Sequence, residues 1–323
     1  MIPGLKKGQQ LRILILAGGI SHERDISLKS GRRVADALTD AGATVTFHEP
    51  DEHLFEYISK EKPDLIWPTL HGASGEDGSL RDILALTGVP FVGATADGAR
   101  LAWDKSIAKI LVQRAGIQTP ASLTLPRETF RELNADSVLA QVAKHMTFPL
   151  VVKPARSGSA QGVTIVEDPA HLNRAMIDAY VYCDVAIIEK FVTGTELAIS
   201  VINEGAGTIA LPAVEIESTT GRFGYDERVV AGDTNYYVPA RLEQGILEKA
   251  AKIAIKAHEE LGLRHLSRVD LIVDASGVAW FLEANVAPGL TETSLLPQAI
   301  VATGATLAQV YLGIAEAAKA GRG

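Results

Sequence analysis

SRVDLIVDASGVAWFLEAN, residues 267–285, is the most informative stretch of the sequence because it has the pattern of two strands joined by a turn. The turn sequence DASG lies between two apolar runs, so the runs are expected to pair as a hairpin. With the turn centred there, Asp270 lies opposite Glu283 and Arg268 lies opposite Asn285. Because side chains alternate along a strand, these four polar groups are predicted to share one face. The other face is predicted to be core, formed by Val269, Leu271, Val273, Trp280, Leu282 and Ala284.

The two carboxylates and the carboxamide on this polar face suggest a metal site. Neighbouring carboxylates repel each other unless a cation or a proton lies between them. Their hard oxygen atoms suit Mg²⁺, which usually binds a few protein carboxylates together with substrate phosphates. The hairpin alone leaves a second interpretation open, in which the same side chains are ordinary surface charges on a solvated sheet.

Length, composition and charge limit the class of protein. The chain has 323 residues, of which 47% are hydrophobic and 22% charged, as is typical of a globular protein with two or three domains. A net charge of −8 argues against a general nucleic-acid binder. No apolar run approaches the ~18 residues that a membrane span needs, and the first residues lack the apolar core of a signal peptide. A cytoplasmic protein without a membrane or nucleic-acid partner is therefore expected.

The order of predicted elements indicates three segments. Residues 1–104 alternate strands such as LRILILAGG with helical stretches, which predicts an α/β domain with a parallel sheet. Residues 105–190 begin with a helix in DKSIAKILVQRAG and continue as strand, Gly/Ser loop and strand, which predicts a central subdomain. Residues 191–323 combine strands with a long helix and a terminal helix. The expected fold class is α/β, with a mixed α+β C-terminal part.

A small-residue loop follows a lysine at a strand end, although the nucleotide motifs GxxxxGK[ST] and GxGxxG do not occur in the sequence. In VVKPARSGSAQGV, Lys153 ends the strand and Ser159 lies in the loop, whose backbone amides can bind phosphate. In IIEKFVTGTEL, Glu189 and Glu196 flank a turn where carboxylates can bind an adenine amine and ribose hydroxyls. Taken singly, these segments also fit an ordinary hairpin and surface charges.

Two loops of the N-terminal segment have residue types that suit a small ligand. HGASGEDGSL, residues 71–80, combines three glycines with His71 and two acids, so it either brings backbone close to a ligand or makes a tight turn. GGISHERDIS, residues 18–27, precedes a helix whose N-terminal amides can face an anion. Glu23 in this loop suits an ammonium group, although an acid in a first turn also stabilises the helix dipole.

Together, and in this order, seven segments resemble those of the D-alanine–D-alanine ligases, a family with the ATP-grasp fold. The resemblance covers nearly the whole chain, in the segments AGGISHERDISLKSG, HGASGEDGSL, DKSIAK, VVKPARSGSAQGV, IIEKFVTGTEL, SRVDLIVD and EANVAPGLTETSLLP. It implies an N-terminal parallel α/β domain and two antiparallel sheets that hold a nucleotide between them. It also implies a homodimer.

The resemblance implies a nucleotide and metal role for eight residues. ATP would be held by Lys109, Lys153, Glu189, Lys190 and Glu196. Two Mg²⁺ ions, or Mn²⁺ in their place, would be bound by Asp270, Glu283 and Asn285.

The remaining candidates would act on the amino-acid substrates. Arg268 and the backbone amide of Gly289 would stabilise developing negative charge, and Glu23 would hold the amino group of the first amino acid. The cleft and the second substrate would be contacted by His71, Ser159, Ser294 and Leu295. The implied reaction joins two D-alanines for peptidoglycan precursors. One carboxylate attacks the γ-phosphate of ATP, and the second amine then attacks the acyl phosphate.

Three segments depart from the family pattern, and one of them is EANVAPGLTETSL, which differs at the residues around Pro288. In RFGYDERVVAGDTNYYVPA, the expected covering loop, Val229 stands where the family has a tyrosine and Arg228 stands for a basic residue. In the phosphate loop the family reads Glu-Gly-Ser-Ser-Val-Gly, whereas this chain reads SGSAQG at residues 157–162. ATP-dependent ligation is therefore expected, while the acceptor stays open between D-alanine and another amino or hydroxy acid. An inactive ATP-binding module is the remaining alternative.

Overall fold

Three β-sheets follow one another along the chain in the computed structural model, which describes residues 10–218 and 234–322. The first sheet is parallel and has the strand order β2-β1-β3. Apolar side chains of β1 point alternately into two different core clusters, so the strand is buried on both faces, as its continuous apolar run predicted. The strands and the helices between them are β1 (Arg12–Leu16), α1 (Arg24–Asp40), β2 (Thr44–His48), α2 (Leu54–Glu61) and β3 (Leu65–Pro68).

The loops that leave the carboxyl ends of β1 and β3 lie at the same edge of this parallel sheet. The first loop leads into α1, for which Glu23 is the N-cap residue, and the second carries His71 into the short helix α3 (Ala73–Glu76). Helix α4 (Ser79–Ala85) follows directly. Parallel topology therefore brings two candidate residues together although they are far apart in the chain.

The second sheet is antiparallel and has the strand order β4-β7-β5-β6. Helices cover one of its faces and form a separate core cluster with it. The elements are β4 (Ser122–Pro126), α7 (Arg127–Glu132), α8 (Ala135–His145), β5 (Leu150–Pro154), β6 (Thr164–Val166), a 3₁₀ turn (Pro169–His171), α9 (Leu172–Tyr180) and β7 (Val185–Lys190).

The third sheet has six strands within the described residues, in the order β11-β10-β8-β12-β13, with β9 paired to β8. Its pairs are antiparallel. The strands are β8 (Gly194–Asn203), β9 (Thr208–Ala210), β10 (Val214–Ser218), β11 (Thr234–Tyr237), β12 (Leu266–Asp274) and β13 (Ala279–Asn285). The helices that pack near it are α5 (Ala96–Trp103), α6 (Lys105–Arg114), α10 (Gln244–Glu260), α11 (Leu295–Ala302) and α12 (Leu307–Lys319).

The hairpin of β12 and β13 has the predicted register at its functional end. Arg268 pairs with Asn285 and Asp270 pairs with Glu283. Beyond that point the register shifts, so that Leu271 pairs with Phe281. A β-bulge of this kind leaves one extra residue, here Leu282, on one strand.

The bulge makes part of the predicted core face wrong. Trp280 and Leu282 were expected in the core, but both are only partly buried, and Phe281 is completely buried in their place. The Trp280 indole donates to Asp274 at 2.8 Å, beside the turn. Because one inserted residue reverses the alternation of side chains, the prediction failed for the part of β13 between the bulge and the turn.

Core packing connects the three segments that were predicted from the sequence, residues 1–104, 105–190 and 191–323. Helix α12, near the end of the chain, packs against α1 and β3, and its Tyr311 makes an edge-to-face contact with Trp67 at 5.4 Å between ring centroids. Helix α6 packs on β13 in a cluster with residues of β8 and β12. The boundaries at residues 104 and 190 stay a prediction, since both helices pack on sheets outside their predicted segments.

None of the helices in residues 10–218 and 234–322 is alone long and apolar enough to cross a membrane. Helices α11 and α12 have sufficient length and apolar composition only when taken together, across a bend of 108°. Both contribute buried side chains to the main core cluster.

Candidate active site

Two adjoining cavities contain nearly all of the predicted site residues. The larger has a volume of about 850 Å³ and lies between the start of α1, the loop at 157–159 and the segment that follows β13. The smaller has a volume of about 110 Å³ and lies between the second and third sheets. Lys105, Ser157 and Glu283 line both cavities, so the two adjoin each other at these residues.

The predicted residues divide between the cavities according to their expected roles. The larger cavity is lined by Glu23, His71, Ser159, Arg268, Glu283, Asn285, Gly289, Ser294 and Leu295. The smaller cavity is lined by Lys153, Glu189, Lys190, Glu196, Asp270 and again Glu283. Lys109 lines neither cavity and instead contacts Glu189 from behind.

A buried trio of charges forms the inner end of the smaller cavity. The ammonium groups of Lys109 and Lys153 each lie 2.6 Å from a different oxygen of Glu189. Lys109 also donates to the carbonyl of Pro120 at 3.0 Å. Since two cations meet one carboxylate, the trio carries a net positive charge that suits an anionic ligand.

The trio shifts the proton affinities of its members. Burial raises the pKa of Glu189, but the charges of Lys153 and Lys109 outweigh burial, so the net shift is downward. Burial lowers the pKa of Lys109, against the attraction of Glu189. The remaining walls are largely apolar and include Ile165, Ile272 and Leu282, which suits a planar base.

The phosphate loop, residues 157–162, is bonded at its start to a lysine that the sequence analysis missed. Lys105 donates to the carbonyl of Ser157 at 2.7 Å and lies 3.3 Å from Glu283. It is the first residue of α6, whose N-cap Asp104 accepts from the amides of Ser106 and Ile107. The sequence signal was present in DKSIAK, where only the second lysine was selected.

The tip of the phosphate loop has an unusual backbone conformation. Ser159 and Ala160 have φ values of 51° and 56°, in the left-handed region that residues with a Cβ atom seldom adopt. At the end of the loop, Gly162 has φ of 71°, and a Cβ there would lie 2.7 Å from the ring of Tyr182 and 2.9 Å from Pro154. The end of the loop therefore requires glycine.

The predicted metal ligands share the polar face of the hairpin and pair with cations of the protein. Arg268 donates two parallel hydrogen bonds to Asp270, at 2.7 and 2.8 Å, while Lys105 faces Glu283. Asn285 accepts the amide of Ala287 at 2.8 Å, which fixes its side chain in the turn. These hard oxygen donors beside a cationic cavity fit Mg²⁺, which takes a few carboxylates and completes its shell with phosphate oxygens.

Glu23 and Ser159 are in direct contact. The Ser159 hydroxyl donates to one carboxylate oxygen of Glu23 across 136 residues of sequence. The other oxygen of Glu23 is buried and has no hydrogen-bond partner among the described residues. A buried carboxylate oxygen without a donor is costly, so the site suits an incoming ammonium group.

His71 and Glu76 lie behind this carboxylate. The ring of His71 lies 3.4 Å from the hydroxyl of Ser30, which in turn accepts the amide of Leu290 at 3.2 Å. Burial lowers the pKa of His71 against the attraction of Glu23, which favours the neutral ring. Glu76, which sequence reasoning did not select, accepts the amide of Gly72 at 2.9 Å. Burial, with repulsion from Glu23 and Glu283, raises the pKa of Glu76 to about 7.

We expect Glu76→Gln to change how stability depends on pH. Because the pKa of Glu76 is higher in the folded chain than its ordinary value of 4.5, the folded state binds more protons between these two values. The wild-type protein should therefore lose stability relative to the variant as pH rises from about 4.5 to about 7. Urea denaturation at several pH values measures this difference, with exposed Glu52→Gln as the control. A difference that does not vary with pH would show that Glu76 has an ordinary proton affinity.

The segment after β13 supplies backbone and hydroxyl groups to the cleft. Ser294 is the N-cap of α11 but makes no side-chain cap; its hydroxyl accepts the amide of Thr291 at 3.0 Å. A Cβ on Gly289 would lie 2.7 Å from that hydroxyl. No side-chain cap bond is made at the start of α11 within the described residues, and the amides of a helix N-terminus, here that of Leu295, suit a carboxylate ligand. The covering-loop residues Arg228 and Val229 lie outside the described residues.

Comparison with known proteins gives one family. A family profile described as "D-ala D-ala ligase C-terminus" matches residues 111–314. The D-alanine–D-alanine ligase of Bordetella petrii is 33% identical over 303 residues, which cover 94% of this chain and 90% of the relative. That of Pelotomaculum thermopropionicum is 34% identical over 294 residues, which cover 91% and 92%.

Two solved structures are similar over nearly the whole chain. The VanG D-Ala:D-Ser ligase from Enterococcus faecalis has a TM-score of 0.82 at 27% identity, covering 95% of this chain and 98% of its own. The D-alanine–D-alanine ligase from Bacillus anthracis complexed with ATP has a TM-score of 0.78 at 26% identity, covering 96% and 97%. With the profile spanning more than half of the chain and the relatives more than nine-tenths, this chain belongs to the D-alanine–D-alanine ligase family of ATP-grasp proteins.

Proposed function

We propose that this protein is an ATP-dependent ligase that joins two molecules of D-alanine. The observation that carries the proposal is that Lys105 and Glu283 line both of the adjoining cavities. On one side, Lys153 and Lys105 face the smaller cavity, which suits a triphosphate. On the other side lies the buried oxygen of Glu23, which suits an amino group. A phosphate donor and an amino acid can therefore meet at one point.

The proposed reaction has two steps. A carboxylate oxygen of the first D-alanine attacks the γ-phosphorus of ATP, and the bond from phosphorus to the β,γ-bridging oxygen breaks to release ADP. The deprotonated amine of the second D-alanine then attacks the acyl carbon, and phosphate leaves with its electron pair and one former carboxylate oxygen. The amine proton passes to solvent or a nearby base.

The protein's contribution is to position the reactants and to stabilise charge. Lys105, Lys153 and the amides of the phosphate loop would hold the phosphates, and Glu23 would orient the first amino group. Arg268 and the amide of Gly289 would face the oxyanion that forms during amine attack. Asp270, Glu283 and Asn285 would hold Mg²⁺, which supplies neutralisation of phosphate charge when bound.

The proposal is tested by offering the protein ATP, Mg²⁺ and D-alanine, alone and paired with other amino and hydroxy acids. We expect ADP and phosphate in equal amounts, together with a product that has the mass of two alanines minus water. Release of phosphate without a coupled product would overturn ligation. A preferred product of D-alanine with a different acid would retain ligation and change the acceptor.

The metal role of Glu283 gives a separate prediction. Glu283→Gln keeps the size of the side chain but removes its charge, so Mg²⁺ binding should weaken by about tenfold or more. The measurement is turnover as a function of Mg²⁺ concentration at saturating ATP, where the half-saturating concentration should rise. Glu260→Gln, at an exposed position at the end of α10, is the control. An unchanged Mg²⁺ dependence would remove Glu283 from the metal site.

A second acceptor is favoured by one observation, the similarity to a D-Ala:D-Ser ligase at the higher of the two TM-scores. The sequence departure at Val229 points to the same step of the reaction.

We expect Val229→Tyr to change the ratio of kcat/KM between D-alanine and D-serine acceptors by about tenfold, with little change in KM for ATP. The neighbouring Val230→Tyr is the matched control. Equal acceptor ratios in both variants would remove Val229 from acceptor selection. A homodimer and a cytoplasmic location remain predictions.

A further inference from the structure

The phosphate loop makes a second contact with the loop before α1, independent of the contact between Ser159 and Glu23. The side-chain amide of Gln161 donates to Nε2 of His22 at 2.6 Å, across 139 residues of sequence. His22 is exposed and Gln161 is half-buried, so the pair lies at the rim of the cleft. The family pattern has valine where this chain has Gln161, which indicates that the contact is a property of this chain.

The conformation of the loop tip explains why an outside contact matters. Residues with a Cβ atom remain in left-handed conformations only when the surrounding structure holds them there, and Ser159 and Ala160 are consecutive residues of this kind. The backbone bonds inside the loop are two turn-type contacts. The backbone N–H of Gln161 donates to the carbonyl of Gly158, and that of Val163 donates to the carbonyl of Ala160. Lys105 bonds the start of the loop at Ser157, and contacts with the loop before α1 hold the tip in place.

The two contacts to that loop differ in what a substrate does to them. Glu23 has to accept an amino group in the proposed reaction, so its bond with Ser159 is shared or lost when the first amino acid binds. The pair formed by His22 and Gln161 lies beside the carboxylate and uses neither of its oxygens. It can hold the loop in both the free and the bound protein.

We propose that His22 and Gln161 are positioning residues that hold the phosphate loop against the N-terminus of α1. They keep Ser159 and Glu23 aligned while Glu23 exchanges one partner for the substrate. The substrate part of this inference rests on the proposed function, whereas the loop part does not. The consequence for the reaction is tighter binding of the first amino acid rather than a faster chemical step.

Hydrogen exchange of residues 157–163 in the protein without ligands tests the loop part. His22→Ala and Gln161→Val should each raise the exchange rate of this segment by about fivefold, the effect of one net hydrogen bond. The double variant should exchange no faster than either single variant, because both remove the same contact. His53→Ala is the matched control, since the exposed side chain of this histidine pairs only with Glu52 among the described residues. An unchanged exchange rate, or effects that add in the double variant, would overturn the proposal that the contact between His22 and Gln161 holds the loop.

Steady-state kinetics test the substrate part with the same four variants and the wild-type protein. The KM of the first amino acid should rise by about fivefold in each single variant and no further in the double, while kcat changes little. Altered exchange with an unchanged KM would overturn the positioning role and leave the contact as a structural one. If the wild-type protein ligates no amino acid, the proposed function fails, and the exchange result still decides whether the contact between His22 and Gln161 holds the phosphate loop.

Discussion

Arg268→Lys is expected to lower kcat by about 10²–10³-fold, because one preorganised donor to the oxyanion is lost. Arg268 is held by two parallel bonds to Asp270, which fix the guanidinium plane at the junction of the two cavities. A lysine can keep the charge near Asp270 but cannot keep this two-point geometry and also present a second N–H to the substrate. The loss should therefore appear in kcat more than in the KM for ATP.

The control for this prediction is Arg264→Lys. Arg264 is half-buried and donates to the carbonyl of Gly93 at 3.2 and 3.0 Å, so it tests the loss of arginine geometry outside the cleft. We expect its kcat to remain close to that of the wild type. A kcat for Arg268→Lys within a few-fold of the wild type, in a protein that binds ATP normally, would remove Arg268 from charge stabilisation.

Glu189→Gln should destabilise the protein by about 3–5 kcal/mol, because breaking a buried ion pair leaves buried charge without compensation. Glu189 faces the ammonium groups of both Lys109 and Lys153 at 2.6 Å. The glutamine keeps the volume and one acceptor oxygen, but its amide hydrogens would face a cation. Urea denaturation at neutral pH measures the loss, with exposed Glu167→Gln as the control.

The same variant has a predictable pH dependence. The folded-state pKa of Glu189 lies below its ordinary value of 4.5, so the carboxylate stabilises the fold fully above that value. The stabilisation is lost as pH falls through the folded pKa, and the difference between wild type and variant should shrink in that acidic range. A small difference in unfolding free energy between wild type and variant at neutral pH would show that the contacts of Glu189 with the two lysines contribute little to stability.

The sequence allowed the polar hairpin to be predicted because strand alternation and a turn fix which residues meet. Arg268 and Asp270 on β12 found the predicted partners on β13. The prediction from alternation failed at Leu282, because a bulge depends on how two strands twist together and cannot be recognised in the pattern of apolar residues. The chain positions of Phe281 and Trp280 could therefore not be assigned to the correct faces.

Long-range contacts set a second limit. Parallel topology explains why Glu23 and His71 lie at one sheet edge, but nothing local to either loop indicated that His22 would meet Gln161. Lys105 and Glu76 were missed for a related reason. Each lies in a motif that had been recognised, and only burial and partners distinguish it from its charged neighbours. A lysine or a glutamate near a helix end is otherwise interpreted from sequence as a solvated side chain.

The central claim, that an amino-acid carboxylate attacks ATP in this cleft, is tested most directly by isotope transfer. D-Alanine labelled with ¹⁸O in both carboxylate oxygens is incubated with the protein, ATP and Mg²⁺ in unlabelled water, and the released phosphate is analysed by mass. The proposed reaction transfers one labelled oxygen to each phosphate and leaves the other in the new peptide bond. Unlabelled phosphate would mean that water rather than the amino acid attacks the γ-phosphorus, and it would contradict ligation through an acyl phosphate.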